Sequence, residues 1–128
     1  MGRIIAIANQ KGGVGKTTTA INLSACLAES GQKVLTVDFD PQGNATSGLG
    51  IEKGEIDKTV YDLLVGECDI EECLISNMQE NLDLLPSNVD LAGAEIELLE
   101  IENKEALLKT YLSKIQNNYD FIIIDCPP

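Results

Sequence analysis

The segment NQKGGVGKTTTA, at positions 9–20, contains residues whose types and spacing suit phosphate chemistry. It follows a short apolar run and leads into a stretch without glycine or proline. A strand, a glycine loop and a helix in this order can surround an anion with backbone N–H groups. The usual pattern is G-x-x-x-x-G-K-[ST], but Gln10 replaces its first glycine and Lys11 follows. The sequence therefore predicts a variant phosphate-binding loop that carries an additional lysine.

The side chains of this loop predict how phosphates and a metal ion would be held. Its glycines allow successive N–H groups to converge on one centre. Lys16 is expected to contact the β- and γ-phosphates of a nucleotide, and the Thr17 hydroxyl to coordinate Mg²⁺. Thr18 is expected to bind the α-phosphate through its backbone and hydroxyl. The alternative is a glycine-rich turn with incidental lysines, and the strand–loop–helix order argues against it. The predicted phosphate-binding residues are Gly12, Gly13, Val14, Gly15, Lys16, Thr17 and Thr18.

Three aspartates follow apolar runs and complete this chemistry. Asp125 ends the run FIIID, at the end of a strand where open α/β sheets bind their ligands, and it is predicted to hold Mg²⁺. Asp38 and Asp40 end the run VLTVDFD at the same edge, and Asp38 is a further candidate metal ligand. An ordinary aspartate, with a pKa of about 3.9, is a poor base at neutral pH. We therefore predict that Asp40 orients the attacking water in a phosphoryl transfer, with Lys16 stabilising charge. Simple capping of a strand end is the alternative for each aspartate.

Alternating strands and helices predict an α/β fold with a mostly parallel sheet flanked by helices, as in P-loop NTPases. Apolar runs predict four strands, within RIIAIAN, KVLTVDFDP, NLDLLPSN and YDFIIIDCPP. The run QGNATSGLG between them is predicted to be a loop. Helices are expected over 16–30, 59–65 and 89–101, and over a last segment with Leu108, Tyr111, Leu112 and Ile115 on one face. The first helix is expected to be buried on more than one face.

The composition is that of an acidic chain. Its net charge is −12 and its nine basic residues are scattered, which argues against nucleic-acid binding by this part of the molecule. No apolar run is long enough to cross a bilayer, so we expect no membrane association and a cytoplasmic location. The four cysteines form no C-x-x-C pair and the chain has no histidine. We predict reduced thiols that pack as small apolar groups. The cysteines are Cys26, Cys68, Cys73 and Cys126.

Three segments together resemble one family. KGGVGKTTTAINL, VDFDPQGNATSGLG and FIIIDCPP are similar to the ParA/Soj chromosome- and plasmid-partitioning ATPases, within the deviant Walker A group that includes MinD. The run PQGNAT is the most discriminating part. The resemblance implies hydrolysis of ATP with Mg²⁺. It also implies an ATP-dependent homodimer in which Lys11 binds the phosphates of the partner's ATP and acts in catalysis, as a second cation would stabilise charge in the transition state.

The resemblance also implies partners and a place in the cell. A ParB/Spo0J-like centromere-binding protein is expected to stimulate hydrolysis, and non-specific DNA to bind through a missing C-terminal half, with association with the nucleoid. Family members are longer, so residues 1–128 are expected to form the N-terminal part of a single ATPase domain, without the adenine pocket and with little activity of their own. The alternatives are a MinD-like division-site ATPase, an iron–sulfur member of the group, which the cysteine spacing disfavours, and a non-catalytic nucleotide-binding fragment.

Overall fold

The computed structural model describes residues 2–7, 16–40, 43–52, 56, 58–64, 66–87 and 104–126. Of residues 16, 17, 104 and 105 it describes the backbone. The helix predicted over 89–101 and most of the predicted phosphate loop lie outside these ranges, so both remain predictions.

Within the described residues, five strands form one sheet. They are β1 (Arg3–Ile7), β2 (Val34–Asp38), β3 (Ile75–Gln79), β4 (Leu82–Leu85) and β5 (Phe121–Asp125). Their order across the sheet is β1-β5-β2-β4-β3. All neighbouring pairs are parallel except β3 and β4, which are antiparallel. The four predicted strands are therefore confirmed, as is the mostly parallel sheet.

Strand β3 was not predicted from the sequence. Its residues ISNMQ are largely polar, and Ser76 and Asn77 are exposed at the sheet edge. Asn77 has a φ of +58°, where the pairing with β4 changes register. Without an apolar alternation or a buried face, such an edge strand leaves no period-2 signal. Strand β1 lies at the opposite edge and, within the described residues, pairs with β5 alone.

Helices cover both faces of the sheet. The helices of the described residues are α1 (Lys16–Glu29), α2 (Asn44–Gly48), α3 (Val60–Leu64), α4 (Ile70–Cys73) and α5 (Lys104–Ser113), and a 3-10 turn, Gln116–Asn118, follows α5. Helix α1 ends at Glu29, and the φ of +92° at Gly31 allows Gln32 N–H to donate to the Leu27 carbonyl at 3.1 Å. Helix α3 begins after Thr59, whose hydroxyl accepts the Tyr61 N–H at 3.2 Å. No described helix has the length and apolar character needed to cross a membrane.

Two hydrophobic clusters fill the space between the sheet and its helices. The central strand β2 is buried along its whole length, so its side chains alternate between the two clusters. Leu35 and Val37 pack in the larger cluster with residues of α3, α4 and α5. Val34 packs in the smaller one with Ala20 and Ala28 of α1. Burial on both faces is what an apolar parallel strand requires.

Helix α1 is buried along one side and exposed on the other, contrary to the predictions for the helix and for Cys26. Its fully buried residues are Ala20, Ser24 and Ala28, spaced four apart on one stripe. Cys26 lies two positions from Ser24, which turns it to the far side of the helix, where it is exposed. The expected burial on more than one face, and of Cys26, is therefore wrong. Cys68 and Cys73 are buried as predicted, and Cys126 is half-buried.

Candidate functional site

The carboxyl ends of three neighbouring strands meet at one edge of the sheet. Asp125, the last residue of β5, is in register with Ile7 at the end of β1 and with Asp38 at the end of β2. Two further backbone bonds extend this alignment: Phe39 N–H donates to the Asp125 carbonyl and Cys126 N–H to the Ile7 carbonyl, both at 3.0 Å. The predicted proximity of the aspartates is thus a consequence of parallel strands in register.

The predicted phosphate loop joins this edge to helix α1. Strand β1 ends at Ile7, in register with Asp125, and α1 begins at Lys16, so β1 ends at the edge where the aspartates lie. Thr18 is described and exposed in the first turn of α1. The residues Lys11, Gly12, Gly13, Val14 and Gly15, together with the side chains of Lys16 and Thr17, lie outside what the structure describes. Their predicted contacts therefore stay predictions.

The Asp38 carboxylate is buried and holds the segment that follows it. Its Oδ1 accepts the Asp40 N–H at 3.2 Å, and its Oδ2 accepts both the N–H and the hydroxyl of Thr46, at 2.9 and 2.7 Å. Burial raises the pKa of Asp38 to about 6, although the hydrogen bonds from Thr46 and Asp40 lower it, and the charge of Asp125 raises it further. These three bonds use most of the acceptor capacity of a carboxylate, about four lone-pair positions.

The main chain of Asp40 is held from both sides. Its N–H donates to Asp38, and its carbonyl accepts the Ser87 hydroxyl at 2.7 Å and the Gly43 N–H at 2.9 Å. The residue is 3% exposed. Asp40 is thus fixed at the site edge by its backbone.

Thr46 and Ser87 belong to this site and were missed by the sequence reasoning. The Ser87 N–H donates to the Thr46 hydroxyl oxygen at 3.0 Å, and the same hydroxyl donates to Asp38. Thr46 lies in helix α2, within the run QGNATSGLG that was predicted to be a loop. That prediction is wrong at Asn44–Gly48, where anchoring of Thr46 to Asp38 stabilises one short helix. The sequence position of Ser87, just after β4, could have indicated that it belongs to the site. Strand β4 is parallel to its neighbour β2, so the two strands end at the same edge of the sheet.

Asp125 is fully buried between β1 and β2. Carboxylate oxygens suit Mg²⁺, which proteins usually bind through one or two carboxylates together with phosphates and water. No cluster of three or more metal-binding side chains occurs among the residues that the structure describes. A carboxylate such as that of Asp125 fits a magnesium ion that phosphate and water oxygens would also ligate.

Comparison with known proteins decides the family. The model of the AAA domain family (AAA_31) matches residues 2–128. The chain belongs to this family. Among similar proteins, the sporulation initiation inhibitor protein Soj of Bacillus subtilis is 59% identical to this chain, over 100% of the chain and 51% of that protein. The chromosome-partitioning ATPase Soj of Treponema pallidum is 52% identical over 100% of the chain and 49% of that protein. The chromosome partitioning protein ParA of Myxococcus xanthus is 52% identical over 100% of the chain and 45% of that protein.

This chain thus spans about half the length of the curated relatives that it matches. The predicted resemblance to ParA/Soj proteins is confirmed. Solved structures share its fold. Cobyrinic acid a,c-diamide synthase from Mycobacterium smegmatis, with bound ATP analog and magnesium, has a TM-score of 0.89 at 44% identity, over 100% of this chain and 52% of that one. The septum site-determining protein MinD of Pyrococcus horikoshii, complexed with Mg-ADP, has a TM-score of 0.84 at 38% identity, over 99% and 49%. The P-loop fold class is therefore confirmed.

Proposed function

We propose that this chain supplies the phosphate- and metal-binding part of a Mg²⁺-dependent ATPase, a dimerisation switch for chromosome or plasmid partitioning. The observation that carries the proposal is that Asp38, Asp40 and Asp125 meet, buried, at the edge where β1 leads into the variant phosphate loop. The partitioning names of relatives at 52% identity support the biological role. Residues 1–128 are proposed as the N-terminal part of a single ATPase domain.

ATP and Mg²⁺ are the proposed cofactors. Structures of similar fold contain an ATP analog or ADP with magnesium, and the loop sequence has the residue types that such ligands need. Lys16 and the backbone of residues 12–18 bind the phosphates. Thr17 and Asp125 hold the metal ion. Asp38 is a further candidate, since its Oδ1 accepts the Asp40 N–H in a long hydrogen bond of 3.2 Å. Asp40 orients the attacking water.

Dimerisation and partners complete the proposal. Lys11 of one subunit contacts the ATP of the other, so that dimerisation depends on ATP and ends on hydrolysis. A ParB/Spo0J-like centromere-binding protein stimulates hydrolysis, and the dimer binds non-specific DNA through residues outside this acidic part. The protein then acts in the cytoplasm, on the nucleoid. Similarity to MinD, at 38% identity, makes a division-site ATPase the second candidate, which the lower identity and the PQGNAT run disfavour.

The first test measures nucleotide binding by the full-length protein. Lys16→Ala should weaken Mg·ATP binding about 10- to 100-fold, since a charge-assisted contact to phosphate is lost. Lys109→Ala is the matched control, because Lys109 is exposed on α5, away from the sheet edge. Equal affinities of the two variants would refute the phosphate-loop assignment.

The second test separates partitioning from division-site function. Phosphate release by the full-length protein is measured with and without a ParB/Spo0J-like centromere-binding protein. Its retention on DNA is compared with its binding to anionic lipid vesicles. Partner-stimulated turnover with ATP-dependent DNA retention is expected. ATP-dependent binding to vesicles without DNA retention would favour the MinD-like alternative.

A further inference from the structure

We infer that Thr46 and Ser87 are positioning residues that set the place of Asp40 and thereby the rate of ATP hydrolysis. The inference rests on the proposed function, in which Asp40 orients the attacking water. Neither hydroxyl is expected to touch the nucleotide. Both act through a closed ring of hydrogen bonds that contains Asp40 itself.

The ring joins three elements of the fold. The Asp40 N–H donates to Asp38, at 3.2 Å, and the Thr46 hydroxyl donates to the other oxygen of Asp38, at 2.7 Å. The Ser87 N–H donates to the Thr46 hydroxyl oxygen at 3.0 Å, and the Ser87 hydroxyl donates to the Asp40 carbonyl at 2.7 Å. The ends of β2 and β4 and the short helix α2 are thereby tied to one another around Asp40.

Every member of the ring is shielded from water. Asp38 is 0%, Thr46 1%, Ser87 1% and Asp40 3% exposed. Buried hydrogen bonds have no solvent to replace a lost partner, so removing one group changes the geometry of the rest. Because neither α2 nor Ser87 belongs to the predicted phosphate loop, we expect this effect to fall on Asp38 and Asp40 rather than on the predicted phosphate contacts.

Thr46 is the most important residue of the ring because its hydroxyl makes two of the hydrogen bonds. It donates to Asp38 and accepts from Ser87, which serine can also do and valine cannot. Thr46→Val keeps the volume but leaves the Ser87 N–H without this acceptor. Ser87→Ala removes one donor to the Asp40 carbonyl, which keeps the Gly43 N–H at 2.9 Å. The valine change should therefore have the larger effect.

The experiment compares kcat and KM for Mg·ATP in the full-length protein. Thr46→Val should lower kcat roughly 10- to 100-fold, as expected for a displaced catalytic geometry, with KM changed less than about twofold because phosphate binding is retained. Thr46→Ser should restore most of kcat, and Ser87→Ala should lower it by roughly three- to tenfold. Thr110→Val is the control, since Thr110 is exposed on α5 and donates to the Ala106 carbonyl.

A double-mutant comparison separates this inference from the proposed function. In the background of Asp40→Ala, Thr46→Val should cause no further loss of single-turnover phosphate release, since the two act through one group. If Asp40→Ala has wild-type turnover, the proposed role of Asp40 fails. If Asp40→Ala hydrolyses ATP slowly but Thr46→Val retains wild-type kcat, only the positioning role fails. The positioning role also fails if Thr46→Val raises KM by as large a factor as it lowers kcat. Should Thr46→Val be insoluble, Ser87→Ala decides by the same criteria.

Discussion

Protonation of the buried Asp38 side chain should increase the free energy of unfolding of the protein in mildly acidic solution. Burial raises the pKa of this side chain from 3.8 to about 6 in the folded protein, against the hydrogen bonds from Thr46 and Asp40, while Asp125 adds a smaller raising effect. The folded state therefore binds the proton more tightly than the unfolded chain, in which Asp38 has its ordinary pKa.

The magnitude follows from the two pKa values. A difference of about 2 pKa units, at about 1.4 kcal/mol each, corresponds to about 3 kcal/mol of unfolding free energy. Because the folded pKa is the higher one, this contribution is fully present below about pH 4 and is lost as the pH rises through about 6. At neutral pH the buried, charged Asp38 is thus a cost to stability.

The assay is urea unfolding of the full-length protein, without nucleotide and with EDTA to remove Mg²⁺. The unfolding free energy of wild type minus that of Asp38→Asn should fall by about 2–3 kcal/mol between about pH 4 and 7, because the amide does not titrate. Asp120→Asn is the control, since Asp120 is exposed at the other end of β5. A difference that stays flat, or that rises toward neutral pH, would show that burial does not dominate at Asp38.

Three further outcomes are expected. In the full-length protein, Lys11→Ala should bind ATP but neither dimerise nor hydrolyse it well, as size-exclusion chromatography with ATP and a phosphate-release assay will show; normal dimerisation would exclude the role across the dimer. Asp40→Ala should dimerise with ATP yet hydrolyse it slowly, and rapid turnover would exclude its water-orienting role. In native protein, a thiol-alkylating reagent should modify exposed Cys26 much faster than buried Cys68 and Cys73. Burial also raises the pKa values of these two thiols, which lowers their reactivity. Equal rates of modification, measured by peptide mass spectrometry, would contradict the described burial.

The sequence was sufficient to predict the part of the site that follows from strand order. Apolar runs indicated β2 and β5, and the parallel arrangement required their carboxyl ends to share an edge. The register pair of Asp38 with Asp125 confirms this. The prediction succeeded because burial on both faces makes such strands continuous apolar runs, which are the strongest signal in the chain.

The remainder of the site depends on bonds between residues distant in sequence. Ser87 lies 41 positions from Thr46, to which its N–H donates, and no local pattern signals such a contact. Helix α2 contains Gly48 and the helix-indifferent Asn44, Thr46 and Ser47, so a loop was the reasonable local prediction. It becomes a helix because Asp38 holds Thr46 from outside the segment.

The ring of hydrogen bonds explains why position 38 in VDFD carries a carboxylate. An apolar side chain at position 38 would avoid the net cost of about 3 kcal/mol that the raised pKa of Asp38 implies at neutral pH. It could not, however, accept the three hydrogen bonds that fix Asp40 and Thr46. Asparagine has nearly the same volume, yet its amide must turn a donor toward Asp40 or Thr46, both of which offer donors themselves. The carboxylate at position 38 therefore fixes the geometry of Asp40 and Thr46 at a cost in stability.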